Sequence, residues 1–390
     1  MDFDFTSEQE QLRDLVGRWV QKDYGFEHRR GLIKAGGQQG VDPSSAWQAL
    51  GELGLLGLAV PAQFDGMDMG PVEAMIVMEE LGRGLVAAPY AAAALMGVGA
   101  LRDHANAEVQ QAWLPRIAAG EARVLPALQE RAARYRLNVV QTQAAQGADG
   151  QWQITGTKNL VSVGGDDGVA EAYVVPARVS GADDDAQGIA LFLVERQAAG
   201  VRVQAHPLQD GSRAAEVSFA NSPATLVVAA GQGAGFAALE HLVDIGIAAL
   251  CAEAVGAMDS LMALTVEYLN TRKQFGVVIA SFQALRHRLA DMKMQLELAR
   301  SMSYYATLKL NAPPKQRRRA LAQAKLQLGQ SMRLVGQQAI QLHGGIGVTD
   351  EYAAGHYFKR LTCIELSLGD TLHQLGEVSA RMEDAAGVLV

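Results

Sequence analysis

The chain has 390 residues, of which 49% are hydrophobic and 19% charged, a balance that argues against extensive disorder at a length that calls for two or three hydrophobic cores. Its formal net charge of -8 would repel a phosphate backbone, so no nucleic-acid partner is expected. The most apolar stretches, 88–101 and 245–258, are shorter than the roughly 20 residues that span a bilayer, so both are expected as buried helices and no membrane partner is expected.

The N-terminal text, MDFDFTSEQEQL, carries acids where a signal peptide needs basic residues. No targeting segment is read there. Cys251 and Cys363 lie in apolar text and are expected as free thiols, which fits a reduced, cytoplasmic location. In Thr6-Ser7-Glu8-Gln9-Glu10 a hydroxyl can cap free amides and an acid three residues on can reciprocate, so a helix carrying Leu12, Leu15, Val16 and Trp19 is expected. Amphipathic segments at 45–53, 72–85 and 107–119 extend an all-helical domain over 1–122.

From about 124 short alternating runs predict strands at 137–143, 151–155, 172–175, 189–194, 201–205 and 215–219, with a hairpin loop at Gly147 to Gly150. They predict an antiparallel β-barrel or sandwich as a middle domain, 123–230. Pro176 and the run Asp183-Asp184-Asp185 are expected in loops, the three acids as a solvated turn and not as a metal site. Gly231, Gly233 and Gly235 superficially resemble a dinucleotide fingerprint, but the βαβ context is missing. A flexible connection into a helix is the expectation. Long helices follow at 236–270, 282–310, 315–342 and 371–386, a C-terminal bundle domain over 231–390 with faces available to other subunits. The basic run Lys315 to Arg319 is read as a solvated helix start.

Two segments carry chemistry. In Thr271-Arg-Lys-Gln-Phe-Gly276 a helix ends at a cationic pair and turns at Gly276, and a new helix starts at Phe282. In Gln341-Leu-His-Gly-Gly-Ile-Gly347 the glycines remove side chains, so backbone amides can approach a ligand. By residues alone, Arg272 and Lys273 as helix-end cations, Phe275 as a core anchor and Gly344-Gly345 as a plain helix stop remain open.

Arg272-x-x-Phe275-Gly276 together with Gln341-x-x-Gly344-Gly345-x-Gly347, followed by Glu351-Tyr352, resembles the acyl-CoA dehydrogenase family, and the likeness covers nearly the whole chain. The resemblance implies an N-terminal helical domain, a middle β-barrel and a C-terminal four-helix bundle, with FAD bound across a dimer interface. It implies that Arg272, Phe275, Gln341, Gly344 and Gly345 hold the adenine and pyrophosphate end of a neighbouring subunit's FAD, with Gln274 and Phe282 on the same surface. The implied reaction is α,β-desaturation of an acyl-CoA thioester, a carboxylate taking the α-proton while flavin takes the β-hydride, with electron transfer flavoprotein as acceptor.

The sequence departs from this pattern in two places. Leu368 stands where the family's usual catalytic glutamate falls, and Gly246 stands at the alternative base position. Asp370, two residues on, is the nearest carboxylate: either a substitute base or the N-cap of the next helix. Glu365 and His373 are weaker candidates. In the β-domain, Gln129 to Tyr135 replaces a loop of small residues with Arg131, Arg134 and Tyr135, where a flavin would fit poorly, while Ser162 still offers a hydroxyl towards the ring.

Both losses fall on the half-site for this chain's own flavin ring. A heteromer is therefore expected, in which a homologous subunit supplies pocket and base. The chain is similar in this respect to the small subunit of pimeloyl-CoA dehydrogenase and to the unequal subunits of bacterial sterol side-chain acyl-CoA dehydrogenases. The alternatives are a self-sufficient homotetramer with Asp370 as base, and a non-catalytic assembly subunit without FAD. Fatty, dicarboxylyl and steroid acyl groups leave no distinguishing signature.

Overall fold

The computed structural model describes residues 4–162 and 170–382. The chain divides into two compact units, one of Met1–Val77 with Val86–Ala249 and one of Met78–Leu85 with Leu250–Val390.

The first unit opens with helices α1 (Ser7–Asp23), α2 (Phe26–Gly36), α3 (Ser44–Glu52) and the start of α4 (Pro71–Arg83). A π-helical segment, Ala91–Gly97, then runs into α5 (Val98–His104), and α6 (Ala107–Ala118) follows. Thr6 caps α1, and the reciprocating side chain is that of Gln9, not the acid expected from sequence. The apolar stretch 88–101 is largely buried helix, as expected.

Among the described residues seven strands follow: β1 (Val124–Pro126), β2 (Gln143–Gln146), β3 (Trp152–Ser162), β4 (Ala172–Arg178), β5 (Ile189–Glu195), β6 (Val201–Pro207) and β7 (Arg213–Val228). The pairings β4–β2–β3–β7–β5 return to β4, closing a barrel, with β1 and β6 attached outside the ring. The barrel is mixed, because β1 and β2 both pair with β4 in parallel.

The expected strand at 137–143 is the clearest miss. Much of its backbone is held by two buried charged side chains, and only its end, from the Thr142 carbonyl to Gln143, meets neighbouring strands. Glu130 accepts from Gln141 N at 2.8 Å and Thr142 N at 3.1 Å. Arg178 donates to the carbonyls of Val140 at 2.9 Å and Asn138 at 3.0 Å. The same guanidinium donates to the carbonyls of Asp183 at 2.8 Å and Asp185 at 2.9 Å, so the triple-acid turn is wrapped round a cation. Among the described residues no metal cluster occurs. Pro176 is inside β4 and not in a loop. It falls between the residues paired with β1, Ala172 to Val174, and the one paired with β2, Arg178, so its missing N–H deprives no partner.

The glycine run before α7 (Ala234–Thr271) is not a loose connection: a Cβ on Gly235 would lie 2.1 Å from the Ile189 carbonyl oxygen, so strand and helix touch backbone to backbone. The helical segment Gly231–Thr271 is long and apolar enough to cross a bilayer by composition, but 72% of its most apolar window is buried within the protein.

The second unit holds the end of α4, the rest of α7, a small hairpin of β8 (Lys273–Gln274) and β9 (Val277–Val278), and helices α8 (Gln283–Lys309), α9 (Pro314–His343), α10 (Ala353–Leu366) and α11 (Thr371–Ala380). Helix α10 was not expected from the sequence; the stretch expected for α11 beyond Met382 lies outside the described residues. The run Lys315 to Arg319 is not a solvated start, since Arg317 and Arg318 are 9% and 5% exposed. Arg318 reaches Glu377 on α11 at 3.5 Å, and Glu377 also takes Arg381 at 2.9 Å.

In this unit α4 and α7 cross at glycines from both sides. A Cβ on Gly82 would lie 2.1 Å from the Glu253 carbonyl oxygen, and one on Gly256 would lie 1.8 Å from that of Glu79. The close crossing lets one cation share three acids: Arg83 bonds Glu79 at 2.8 Å, Glu80 at 3.0 Å and also Asp259. Arg300 on α8 adds a 2.7 Å bond to Glu79 and a 3.4 Å contact to Asp259. Burial opposes the charge on Asp259, but Arg83 and Arg300 outweigh it and hold the carboxyl below its usual range. Gly256→Ala is expected to cost about 3 kcal/mol or more in urea unfolding, because backbone and not a flexible side chain must yield; an unchanged midpoint would contradict so tight a crossing.

Candidate functional site

Helix α7 ends where the first chemistry-bearing segment begins, with Arg272 N donating to the Tyr268 carbonyl at 2.9 Å. Beyond it Lys273 pairs with Val278 and Gln274 with Val277. The two residues of the turn, Phe275 at φ 55° and Gly276 at φ 81°, both lie in the left-handed region, as a tight hairpin of primed type requires. Glycine adopts this freely, but phenylalanine does so at a cost of roughly 1–2 kcal/mol. The strained position puts the Phe275 ring 91% in solvent, edge-on to Phe282 at 6.1 Å. Phe275 is therefore no core anchor. Arg272 and Gln274 are exposed too, and among the described residues the Arg272 guanidinium makes no hydrogen bond or ion pair.

The second segment ends α9. Gly344 turns at φ 62° as the helix's C-terminal residue, and a Cβ on either Gly344 or Gly345 would meet nothing within 4 Å. The backbone there faces open space. Gln341 is exposed beside it. Three rings bring the segments together: Tyr268 packs on His343 with centroids 4.7 Å apart, and His343 on Tyr352 at 5.1 Å. Tyr268 is one turn before Arg272, and His343 is two residues after Gln341. Helix α8, which starts after Phe282, is tied to α9 by Arg288 Nη1 donating to Gln338 Oε1 at 2.8 Å. Arg272, Gln274, Phe275, Phe282, Gln341, Gly344 and Gly345 thus all lie exposed on the elements these contacts join. The sequence pattern did not single out the ring cluster, although Tyr268 at i−4 from an arginine was visible as a helical neighbour.

The exposed arginine and open glycine backbone have the chemistry to receive a phosphate-bearing group, as the diphosphate of FAD would require. A free guanidinium makes directional, charge-assisted bonds to phosphate oxygens, and uncovered glycine backbone admits close approach.

The segment aligned with the family's usual base is a turn in which Leu368 sits at φ 54° and Gly369 at φ 106°. The buried Lys325 holds it from below, donating to the carbonyls of Ile364 and Glu365 at 2.9 Å each and of Gly369 at 3.2 Å. Glu365 is structural, since its Oε1 accepts from Thr371 N at 3.1 Å and Thr371 Oγ1 at 2.6 Å. Asp370 caps α11, its Oδ1 accepting from His373 N at 2.8 Å, which is the capping arrangement of the two readings open for it. His373 is half-buried, and that burial lowers its pKa.

Lys325 was missed in the sequence, where it is one cation among several on a long helix. Burial pushes its ammonium down to about 8, against an ordinary 10.5, and pushes the neighbouring Cys251 thiol up to about 12. Below about pH 8 folded and unfolded states both carry the Lys325 proton; between there and 10.5 only the unfolded state does, so stability rises with pH in that window. The gap between wild type and Lys325→Met in urea unfolding is expected to shift towards wild type by up to about 3 kcal/mol from pH 8 to 10.5. A constant gap across that range would contradict a buried charge at this position.

In the first unit, Ser162 ends β3 and pairs with Ala214; the residues after it, 163–169, lie outside the described part. Before it β3 bulges, with Leu160 at φ 52° and 51% exposed. The loop from Gln129 is tied to this bulge by a bridge between Gln129 and Asn159. Inside the loop Glu130 accepts from Lys158 Nζ at 2.6 Å and Thr142 Oγ1 at 2.7 Å. Burial works against the Glu130 charge, and Lys158 with the other donors outweighs it, holding the carboxyl below its usual range. Arg131 leaves the loop to bond Glu216 on β7 at 3.0 Å, and Arg134 takes φ 50°. Lys158→Met is expected to destabilise by about 3–5 kcal/mol through an unpaired buried carboxylate, and Lys158→Met with Glu130→Gln by less. Equal losses in thermal unfolding would contradict a buried ion pair.

A helical region, a closed barrel and a helical bundle thus follow one another along the chain, the last carrying an exposed arginine and exposed glycines. Residues 6–121, 127–222 and 233–383 match in turn the N-terminal, middle and C-terminal domains of acyl-CoA dehydrogenase. The chain belongs to the acyl-CoA dehydrogenase family, FAD-dependent oxidoreductases that act on CH–CH bonds. It is 29% identical over 378 residues to the probable acyl-CoA dehydrogenase YngJ of Bacillus subtilis, covering 95% of this chain and 96% of that protein. It is 28% identical to acyl-CoA dehydrogenase FadE27 of Mycobacterium tuberculosis, covering 98% and 99%. Among solved structures, the ChsE4-ChsE5 complex from Mycobacterium tuberculosis matches with a TM-score of 0.85 at 28% identity, over 97% of this chain and 98% of that one.

Proposed function

We propose that this chain is one subunit of a heteromeric FAD-dependent acyl-CoA dehydrogenase, giving the adenine and pyrophosphate side of a FAD site that a homologous subunit completes. One contrast carries the reading. The gripping surface of Arg272, Phe275, Gln341, Gly344 and Gly345 is exposed and ready, whereas the base position holds Leu368 and the nearest carboxylate, Asp370, is engaged as a helix cap. Bound FAD would supply acceptance of the β-hydride of the acyl-CoA thioester. This chain's residues would bind and orient: Arg272 at the phosphates, the glycine backbone beside them, and the Phe275 ring against the neighbouring surface. Leu368 has no atom that can take the α-proton, so the partner would hold the base. The match to ChsE4-ChsE5, itself a complex of two proteins, supports a heteromer. Electron transfer flavoprotein is the proposed acceptor.

Expressed alone, the chain is expected to be colourless, and co-expressed with its homologous partner the pair is expected to carry FAD. Arg272→Ala should weaken FAD retention by the pair roughly ten- to a hundredfold, as expected for a lost bond to a charged group. A yellow single chain that reduces an acceptor with acyl-CoA, and loses this on Asp370→Asn, would establish the self-sufficient enzyme instead. Unchanged FAD content in Arg272→Ala would point to a subunit without a cofactor role.

A further inference from the structure

We infer that Tyr268, His343 and Tyr352 are positioning residues that hold the two cofactor-gripping segments in one fixed arrangement; the inference rests on the reading that this surface grips FAD. The three rings come from three elements, the last turn of α7, the end of α9 and the residue that opens α10. His343 is the pivot. It is 2% exposed, and its Nδ1 is 2.8 Å from the Ala339 carbonyl oxygen one turn back, which fixes the ring plane. Tyr268 packs on it at 4.7 Å and 32°, Tyr352 at 5.1 Å and 53°, and the tyrosines meet each other at 6.2 Å and 63°. All three separations lie in the range where aromatic pairs attract.

The cluster is linked to each gripping segment by the main chain itself. The Tyr268 carbonyl accepts the Arg272 amide, so a shift of that ring is carried to the base of the guanidinium. His343 directly precedes Gly344, whose left-handed turn begins where the ring is fixed. Tyr352 closes the loop that leaves Gly345, and that loop is tied back to α10 through Asp350, whose carbonyl lies 3.0 Å from His356 Nε2 and whose carboxylate takes Lys359 Nζ at 3.0 Å. Two exposed segments far apart in sequence thus share one buried reference point. Flat, rigid rings suit that role better than flexible aliphatic chains, because they fix orientation as well as distance.

Among the described residues neither tyrosine hydroxyl makes a hydrogen bond, so it is the ring that matters and phenylalanine is expected to serve equally well. The test uses the assembled complex with its homologous subunit, with the FAD dissociation constant read by flavin fluorescence and melting read on the FAD-free complex. Tyr352→Leu is expected to weaken FAD about tenfold with little change in melting, and Tyr352→Phe to restore wild-type affinity; Tyr268→Leu and Tyr268→Phe repeat the comparison from the other side of the pivot. If Arg272→Ala weakens FAD while both leucine variants bind as wild type, the positioning role is overturned and the FAD surface stands. If the phenylalanine variants lose as much as the leucine ones, the hydroxyls contact the ligand and the positioning role is likewise overturned. If Arg272→Ala has no effect either, the FAD reading itself fails and this inference with it.

Discussion

The packing of Tyr268 against His343 at 4.7 Å is the contact that ties the two exposed segments of the candidate site together. A site for a phosphate-bearing cofactor must leave strong donors unpaired, and unpaired donors on separate segments would wander. Here the donors stay in water while the residues beside them are packed, His343 buried and Tyr268 half-buried. The guanidinium of Arg272 and the open backbone at Gly344 and Gly345 are held by neighbours at i−4 and i−1 that cannot move independently. The molecule separates rigidity from availability within a single helical turn.

Buried cations recur as organisers elsewhere, one satisfied by a carboxylate and two by backbone carbonyls. Lys158 has a carboxylate, Glu130, and together they shape a loop of the barrel. Arg178 is surrounded by backbone carbonyls and rounds off the acidic turn. Lys325 also finds carbonyls, at the end of α10, and fixes the turn that carries Leu368. Desolvation makes each of them costly unless every donor finds an acceptor. The turn at Leu368 is therefore built with care although its side chain has no acid or base chemistry, which fits a fold retained for its geometry.

Much of the architecture was legible because long periodic segments dominate it. Helices α7, α8 and α9 were read within a few residues, and five of the seven described strands of the barrel region followed from alternation. What was not legible depended on distant partners. The segment 137–143 alternates like a strand, yet Glu130 and Arg178 take much of its backbone before Gln143, and no local pattern announces that. Pro176 reads as a strand breaker, but only pairing register reveals a gap where no donor is needed. Gly235 reads as slack when it is a point of backbone contact. At the candidate site, the motif residues were singled out through their resemblance, while Lys325 and the Tyr268–His343–Tyr352 cluster were not, because their contacts join elements distant in sequence.

The hairpin tip at Phe275 bears on how the polypeptide behaves before it meets anything else. A benzyl group held in water by a strained backbone is an unfavourable arrangement that any covering surface relieves, and burying such a ring is worth roughly 1.5–3 kcal/mol. By mass action, whatever covers it also raises the folding stability of the chain that presents it. Copies left without such a cover would therefore open and be degraded more readily than covered ones, and the standing amount of this polypeptide would then follow the supply of whatever shields that one ring.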